Sequence, residues 1–111
     1  MTRKTFVNIV TPMSADLSID YRGFNMLIES YLLNHIDGVL MFSGYAESDY
    51  LTYHEKETLL NELQRKSKGH LDLIYDTNSY SFSKVLENIS HAKTCGCQNI
   101  LLTLSQEIPN N

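Results

Sequence analysis

Four short apolar runs, FVNIV (6–10), VLMF (39–42), LDLIY (71–75) and NILLT (99–103), recur at intervals of roughly thirty residues. Between them the apolar positions switch to helical spacing. Phe24, Leu27, Ile28, Tyr31 and Leu32 fall at i, i+3, i+4, i+7 and i+8; Leu59, Leu60 and Leu63 form a second stripe; Phe82, Val85, Leu86, Ile89 and Ala92 or Lys93 form a third. A strand–helix alternation of this kind leaves few choices. It predicts β-α-β-α-β-α-β, with parallel strands joined by right-handed crossovers. The near-continuous apolar run at Val39–Phe42 points to a strand covered on both faces, as in a parallel sheet.

Local signals set the boundaries. Asp20 is placed to cap the first helix. Thr52-Tyr53-His54-Glu55 has the capping-box pattern, in which the threonine hydroxyl and the glutamate each satisfy the other's backbone amide. Gly69 and Gly96 close the second and third helices. Two architectures fit the alternation: a segment of a (β/α)8 barrel and a small doubly wound sheet. Both put ligand loops at the C-terminal ends of strands, here Thr11-Pro12, Ser43 to Ser48, Asp76 to Ser79 and Leu104 to Glu107.

At 111 residues the chain is expected to form a single domain over 1–111. With a net charge of −4 and no basic cluster beyond Arg65-Lys66-Lys68, nucleic acid is not expected as a partner. No apolar run approaches the ~20 residues that span a bilayer, and the N-terminal stretch is too polar for an export signal. The expected location is therefore cytoplasmic. The only cysteines, Cys95 and Cys97, are spaced C-x-C, too close for a comfortable disulfide and lacking a second pair for zinc. They read as small, half-buried residues flanking Gly96. None of His35, His54, His70 and His91 falls at metal-ligand spacing, so no metal is expected. His54 and His91 are expected to be solvated.

Several ordered stretches together carry a family likeness. FVNIVTPMSADLSID, then GVLMFSGYAES followed by LTYHEK, then HAKTCGCQNILLT, resemble the N-terminal half of the dihydrodipicolinate synthase / N-acetylneuraminate lyase family. The resemblance covers essentially the whole chain, in order and with matching spacing. It implies an α/β fold of about four βα units, the N-terminal half of a (β/α)8 TIM barrel. It implies the chemistry of a pyruvate-dependent Schiff-base lyase or aldolase, with no added cofactor. It also places a substrate loop at SGYAES.

Departures from the family pattern limit that implication. The loop's first glycine is Ser43, its two hydroxyl residues are Gly44 and Tyr45, and its second glycine is Ala46; Glu47 and Ser48 match. The tyrosine that the family often places after the fourth strand is absent from Leu104 to Glu107. The family's catalytic tyrosine and Schiff-base lysine lie on its fifth and sixth strands, beyond the four strands read here. Ser43, Gly44 and Tyr45 are therefore the expected substrate-binding residues, Glu47 is expected to brace the loop, and no residue is expected to be catalytic. A turn carboxylate capping the amides of Asn78 or Ser79 is the stronger reading of Asp76. Lys56, Lys66, Lys68, Lys84 and Lys93 are expected on helices as solvated ammonium groups.

The chain is thus expected to be inactive alone, with a keto acid such as pyruvate as its ligand. The alternatives are a small keto-acid or anion-binding module and a non-catalytic assembly partner. Four open strands leave one face bare, with inward residues drawn from Val7, Ile9, Val39, Met41, Leu71, Leu73, Ile100 and Leu102 or their neighbours. Each aliphatic side chain left uncovered forfeits about 1.5–3 kcal/mol, against a domain stability of only ~5–15 kcal/mol. A homo-oligomer, or pairing with a complementary half-barrel, is the expected remedy.

Overall fold

The computed structural model describes residues 3–103, with the backbone alone for 45–47. Leu104 to Glu107 lie outside the described residues. The elements run β1 (Phe6–Asn8), α1 (Tyr21–Leu33), β2 (Gly38–Met41), α2 (Tyr45–Tyr50), α3 (Tyr53–Ser67), β3 (Asp72–Asp76), α4 (Phe82–Thr94) and β4 (Asn99–Leu101). The alternation stands as expected, with one addition. The stretch after Gly44 is a short helix, α2, not an open loop.

All four strands are parallel, and their spatial order is their sequence order, β1-β2-β3-β4. That order decides between the two architectures. A doubly wound sheet reverses direction at a switch point to place helices on both faces. A sequential parallel sheet with right-handed crossovers keeps every helix on one face, which is the winding of a barrel. The fold is the N-terminal part of a TIM barrel.

The helices α1 and α3 turn their expected stripes inward. α4 departs from its own, burying Val85, Asn88 and Ala92 while Phe82 and Leu86 are exposed, because the polar contacts of Asn88 set the face that α4 presents to the sheet. Phe24 and Ile28 of α1, Leu59, Leu60 and Leu63 of α3, and Ala92 of α4 join Ile9, Val39, Met41, Leu73 and Tyr75 of the strand segments in one core. The capping box forms: Glu55 N donates to Thr52 Oγ1 at 3.1 Å, and Thr52 N donates to Glu55 Oε1 at 2.9 Å. Asp20 Oδ1 accepts from Gly23 N at 2.9 Å. Lys68 and Gly69 both adopt positive φ and end α3.

The parity of the strands corrects one expectation. Val39, Met41 and Leu73 face the helices and are buried. The open face carries the alternate row, in which Asn8, Leu40 and Ile74 stand in register, with Asn99 paired to Ile74 and Leu101 to Asp76. Alternation fixes which residues share a face, but packing against helices decides which face is covered.

Candidate functional site

At the C-terminal end of β2 the chain turns sharply. Phe42 sits at φ 64°, a left-handed conformation unusual for a bulky residue, and Gly44 at φ 87°. Phe42 is held there by burial: its ring meets Tyr75 edge-on, with centroids 4.8 Å apart. Gly44 is exposed, and a Cβ built on it would meet nothing within 4 Å. The turn therefore presents Ser43 and Gly44 beside open space, ahead of α2.

Behind this turn lies the feature that the sequence reading missed. Lys56 is fully buried, not solvated. Its Nζ donates to Ser48 Oγ at 3.2 Å and lies 5.4, 5.3 and 5.8 Å from the ring centroids of Phe42, Tyr53 and Tyr75. Aromatic faces attract an ammonium that has lost its water. The signal was present in spacing: Lys56, Leu59, Leu60 and Leu63 fall at i, i+3, i+4 and i+7, so Lys56 occupies the first position of the inward stripe.

Polar contacts extend from that ammonium across three elements. Asn88 of α4 donates through Nδ2 to Ser48 Oγ at 3.4 Å and to the Thr77 carbonyl at 3.1 Å, and it accepts from Tyr53 OH at 2.8 Å. Tyr75 OH meets His91 Nδ1 at 3.0 Å, and Cys95 Sγ lies 3.5 Å from His91 Nε2. His91 is therefore half-buried and engaged, not solvated as expected. Burial, with the nearby Lys56 charge, holds its pKa below the usual histidine value. Burial pushes the Tyr75 phenol upward as well. His54 is exposed, as expected.

The next strand end is tied down. Asp76 Oδ1 accepts from Asn78 N at 2.9 Å and Asn78 Nδ2 at 2.8 Å, the turn role expected of it. Asn78 Oδ1 accepts from Thr103 N at 3.0 Å, and Thr77 Oγ1 donates to the Leu101 carbonyl at 2.9 Å. Ser79 Oγ donates to Asp49 Oδ1 at 2.7 Å, joining this loop to α2. Cys95 and Cys97 are free thiols flanking Gly96, both half-buried. Among the described residues no three groups stand together as metal ligands, and no helix is long and apolar enough to cross a membrane.

Of the expected binding residues, the structure brings Ser43 and Gly44 to the strand end. The side chains of Tyr45 and Glu47 lie outside the described set. A cleft of about 310 Å³, lined by Gln64, Asp72, Cys97 and Asn99 among others, opens at the opposite end of the sheet, where β3 and β4 begin. Barrel ligands are held at the strand C-termini, so this cleft stands apart from the candidate site.

The family model for the dihydrodipicolinate synthetase family matches residues 1–104. The chain belongs to that family. A 4-hydroxy-tetrahydrodipicolinate synthase of Streptococcus uberis is 38% identical over 86 residues, which are 72% of this chain and 28% of that protein. Among solved structures, dihydrodipicolinate synthase from Thermotoga maritima superposes with a TM-score of 0.78 at 22% identity, covering 90% of this chain and 34% of that one. The chloride-inhibited dihydrodipicolinate synthase from Acinetobacter baumannii, complexed with pyruvate, superposes with a TM-score of 0.77 at 23% identity, covering 87% and 33%. The chain spans about a third of the length of these relatives. For this family member, the barrel winding and the sequence motifs agree.

Proposed function

We propose that this family member is a barrel segment that holds a small keto acid such as pyruvate at the end of β2 and completes no Schiff-base chemistry by itself. The observation that carries this reading is the contrast between the Ser43–Gly44 turn and Lys56. The turn offers exposed backbone beside open space, while the lysine next to it is enclosed by three rings and Ser48. A Schiff base needs an amine that a carbonyl carbon can reach. The family membership and the pyruvate in the Acinetobacter baumannii complex support the choice of ligand.

Ser43 hydroxyl and the amides of Ser43 and Gly44 are the groups assigned to the ligand carboxylate. Tyr45 is assigned to the same ligand and Glu47 to bracing of the loop. A cytoplasmic setting belongs to this proposal, and the free thiols Cys95 and Cys97 fit a reducing compartment. An amide NMR titration with pyruvate tests the binding. Saturable shifts centred on Ser43 and Gly44 at millimolar ligand are expected, and unchanged spectra would remove the proposal.

A second reading, a non-catalytic assembly partner, is favoured by the apolar side chains on the bare face. Phe6, Val10 and Leu101 stand exposed there. In that reading the chain acts as a homo-oligomer or joins a complementary half-barrel.

A further inference from the structure

The two cysteines bracket the turn between α4 and β4. Cys95 is the C-cap of α4, Gly96 follows at φ 77°, and Cys97 begins the run into β4. Three backbone bonds build the turn. Cys95 N donates to the His91 carbonyl at 2.9 Å, Gly96 N to that of Lys93 at 3.0 Å, and Cys97 N to that of Ala92 at 2.9 Å. The last two are the paired bonds of a Schellman cap, with glycine at its left-handed position.

Residues two apart have Cα atoms at most about 7 Å apart, and the left-handed residue between them folds the chain back. That brings the pair toward the ~4.4–6.8 Å that a disulfide spans. Both side chains turn inward, packing on the apolar core that holds Ala92 and Tyr75. The Tyr75 phenol feels both thiols electrostatically, and Cys97 feels Cys95.

The two thiols are not equivalent. With Tyr75 OH donating to His91 Nδ1 at 3.0 Å, the ring hydrogen is on Nε2, which faces Cys95 Sγ at 3.5 Å. An N–H aimed at sulfur favours the thiolate. Burial, with the charge of Glu57, raises the Cys95 thiol; burial, with Cys95 nearby, pushes Cys97 further, up to about 11. Exchange at this pair is therefore slow, and it begins at Cys95.

We infer that Cys95-Gly96-Cys97 is a reversible redox site that exchanges with small-molecule disulfides. The Cys95 thiolate attacks one sulfur of the small disulfide, whose S–S bond breaks and releases a thiolate that takes up a proton. The Cys97 thiolate then attacks the Cys95 sulfur of the mixed disulfide. The Cys95–Cys97 bond forms, and the second small thiol leaves with the Cys97 proton. The chain is oxidised by two electrons, and the small disulfide is reduced to two thiols. The tight spacing that argues against a lasting structural bridge makes this one easy to reduce. Closing the ring draws Cys97 off the cap and costs its bond to the Ala92 carbonyl, so oxidation loosens the end of α4.

The test treats the folded 111-residue chain with excess oxidised glutathione, followed by intact mass and a thiol count. The chain holds two cysteines, so the product is unambiguous. The expected product is a monomer lighter by two hydrogens, with no free thiol, restored by dithiothreitol. Its melting temperature is expected to be lower than that of the reduced chain. Cys97→Ser is expected to stop at a glutathione adduct on Cys95, and Cys95→Ser to react at least about tenfold more slowly. A chain that stays reduced, accumulates the mixed disulfide or forms a covalent dimer would overturn the inference. Equal rates for the two variants would overturn the order of attack, and an equal or higher melting temperature on oxidation would overturn the loosening of α4. The mass and melting readouts use the unaltered chain, so they decide the matter even where a serine variant fails to fold.

Discussion

Lys56 and Ser48 meet inside the protein, Nζ to Oγ at 3.2 Å, with neither residue exposed to water. The contact joins the start of α3 to α2, and Asn88 links the same hydroxyl to α4. The strand-end turn is thus backed by a buried polar cluster and not by apolar packing alone. An ammonium in this position is costly unless its surroundings are complete, so its removal has a readable effect. Lys56→Ala, which leaves a void and strips Ser48 of a donor, is expected to lower stability by about 2–4 kcal/mol. Lys56→Met, which keeps the volume among the rings, is expected to lose less. Urea midpoints of the two variants check this; an unchanged midpoint for Lys56→Ala would contradict the buried placement.

Gly38 has no room for a side chain. A Cβ there would sit 2.7 Å from the Asp72 carbonyl oxygen and against the ring of Phe6. The carbonyl belongs to the neighbouring strand and cannot rotate away. Gly38→Ala is therefore expected to cost about 1–3 kcal/mol, read as a fall in urea midpoint. A variant as stable as the parent would place β1 and β3 farther from β2 than described.

How far the sequence carried can be judged from particular residues. Capping at Thr52 and Asp20, and the turn role of Asp76, were legible because short-range spacing creates them. The inward stripe of α3 was legible too, but Lys56 at its head was assigned to water on the strength of its charge alone. Phe42 at positive φ left no sequence signal, because packing under Tyr75 holds it there. The bare face was legible, but not which alternate row lines it: Val39, Met41 and Leu73 turn to the helices, and the neighbouring row of Leu40 and Ile74 lines the open side. A period of two cannot say which face the helices cover. The helix α2 is hard to see in SGYAES because Ser43 and Gly44 mark a turn and six residues are too few to show a helical stripe.

His91 gives the fold an acid dependence. Its folded pKa lies below the ordinary histidine value, so the unfolded chain takes up a proton first. Its contribution to stability is present above about pH 6.5 and is lost as pH falls through the folded pKa. Tyr75, Tyr53, Cys95, Lys56 and Glu57 are the groups around it. Urea midpoints should fall between pH 7 and pH 5, and His91→Gln should reduce that fall. An identical fall in both proteins would assign the acid sensitivity elsewhere.

Cys97 should be a slow thiol. Burial, with Cys95 nearby, pushes its pKa from 9.0 up to about 11. A thiol raised that far carries about a hundredfold less thiolate at neutral pH than an ordinary one. Alkylation of Cys97 by iodoacetamide in the folded chain is expected to be slower than in urea by about that factor or more. Equal rates, followed by mass spectrometry of the labelled peptide, would show that the α4–β4 turn leaves the thiol open.

The central proposal is that a keto acid held at the Ser43–Gly44 turn meets no lysine able to react with it. Incubation with pyruvate followed by borohydride, read by intact mass, tests this most directly. Reduction would trap an imine formed by any lysine that the ketone carbon could reach. The account predicts the unmodified mass, with Lys56 enclosed between Phe42, Tyr53 and Tyr75. A stoichiometric adduct mapped to any lysine, Lys56 above all, would contradict it.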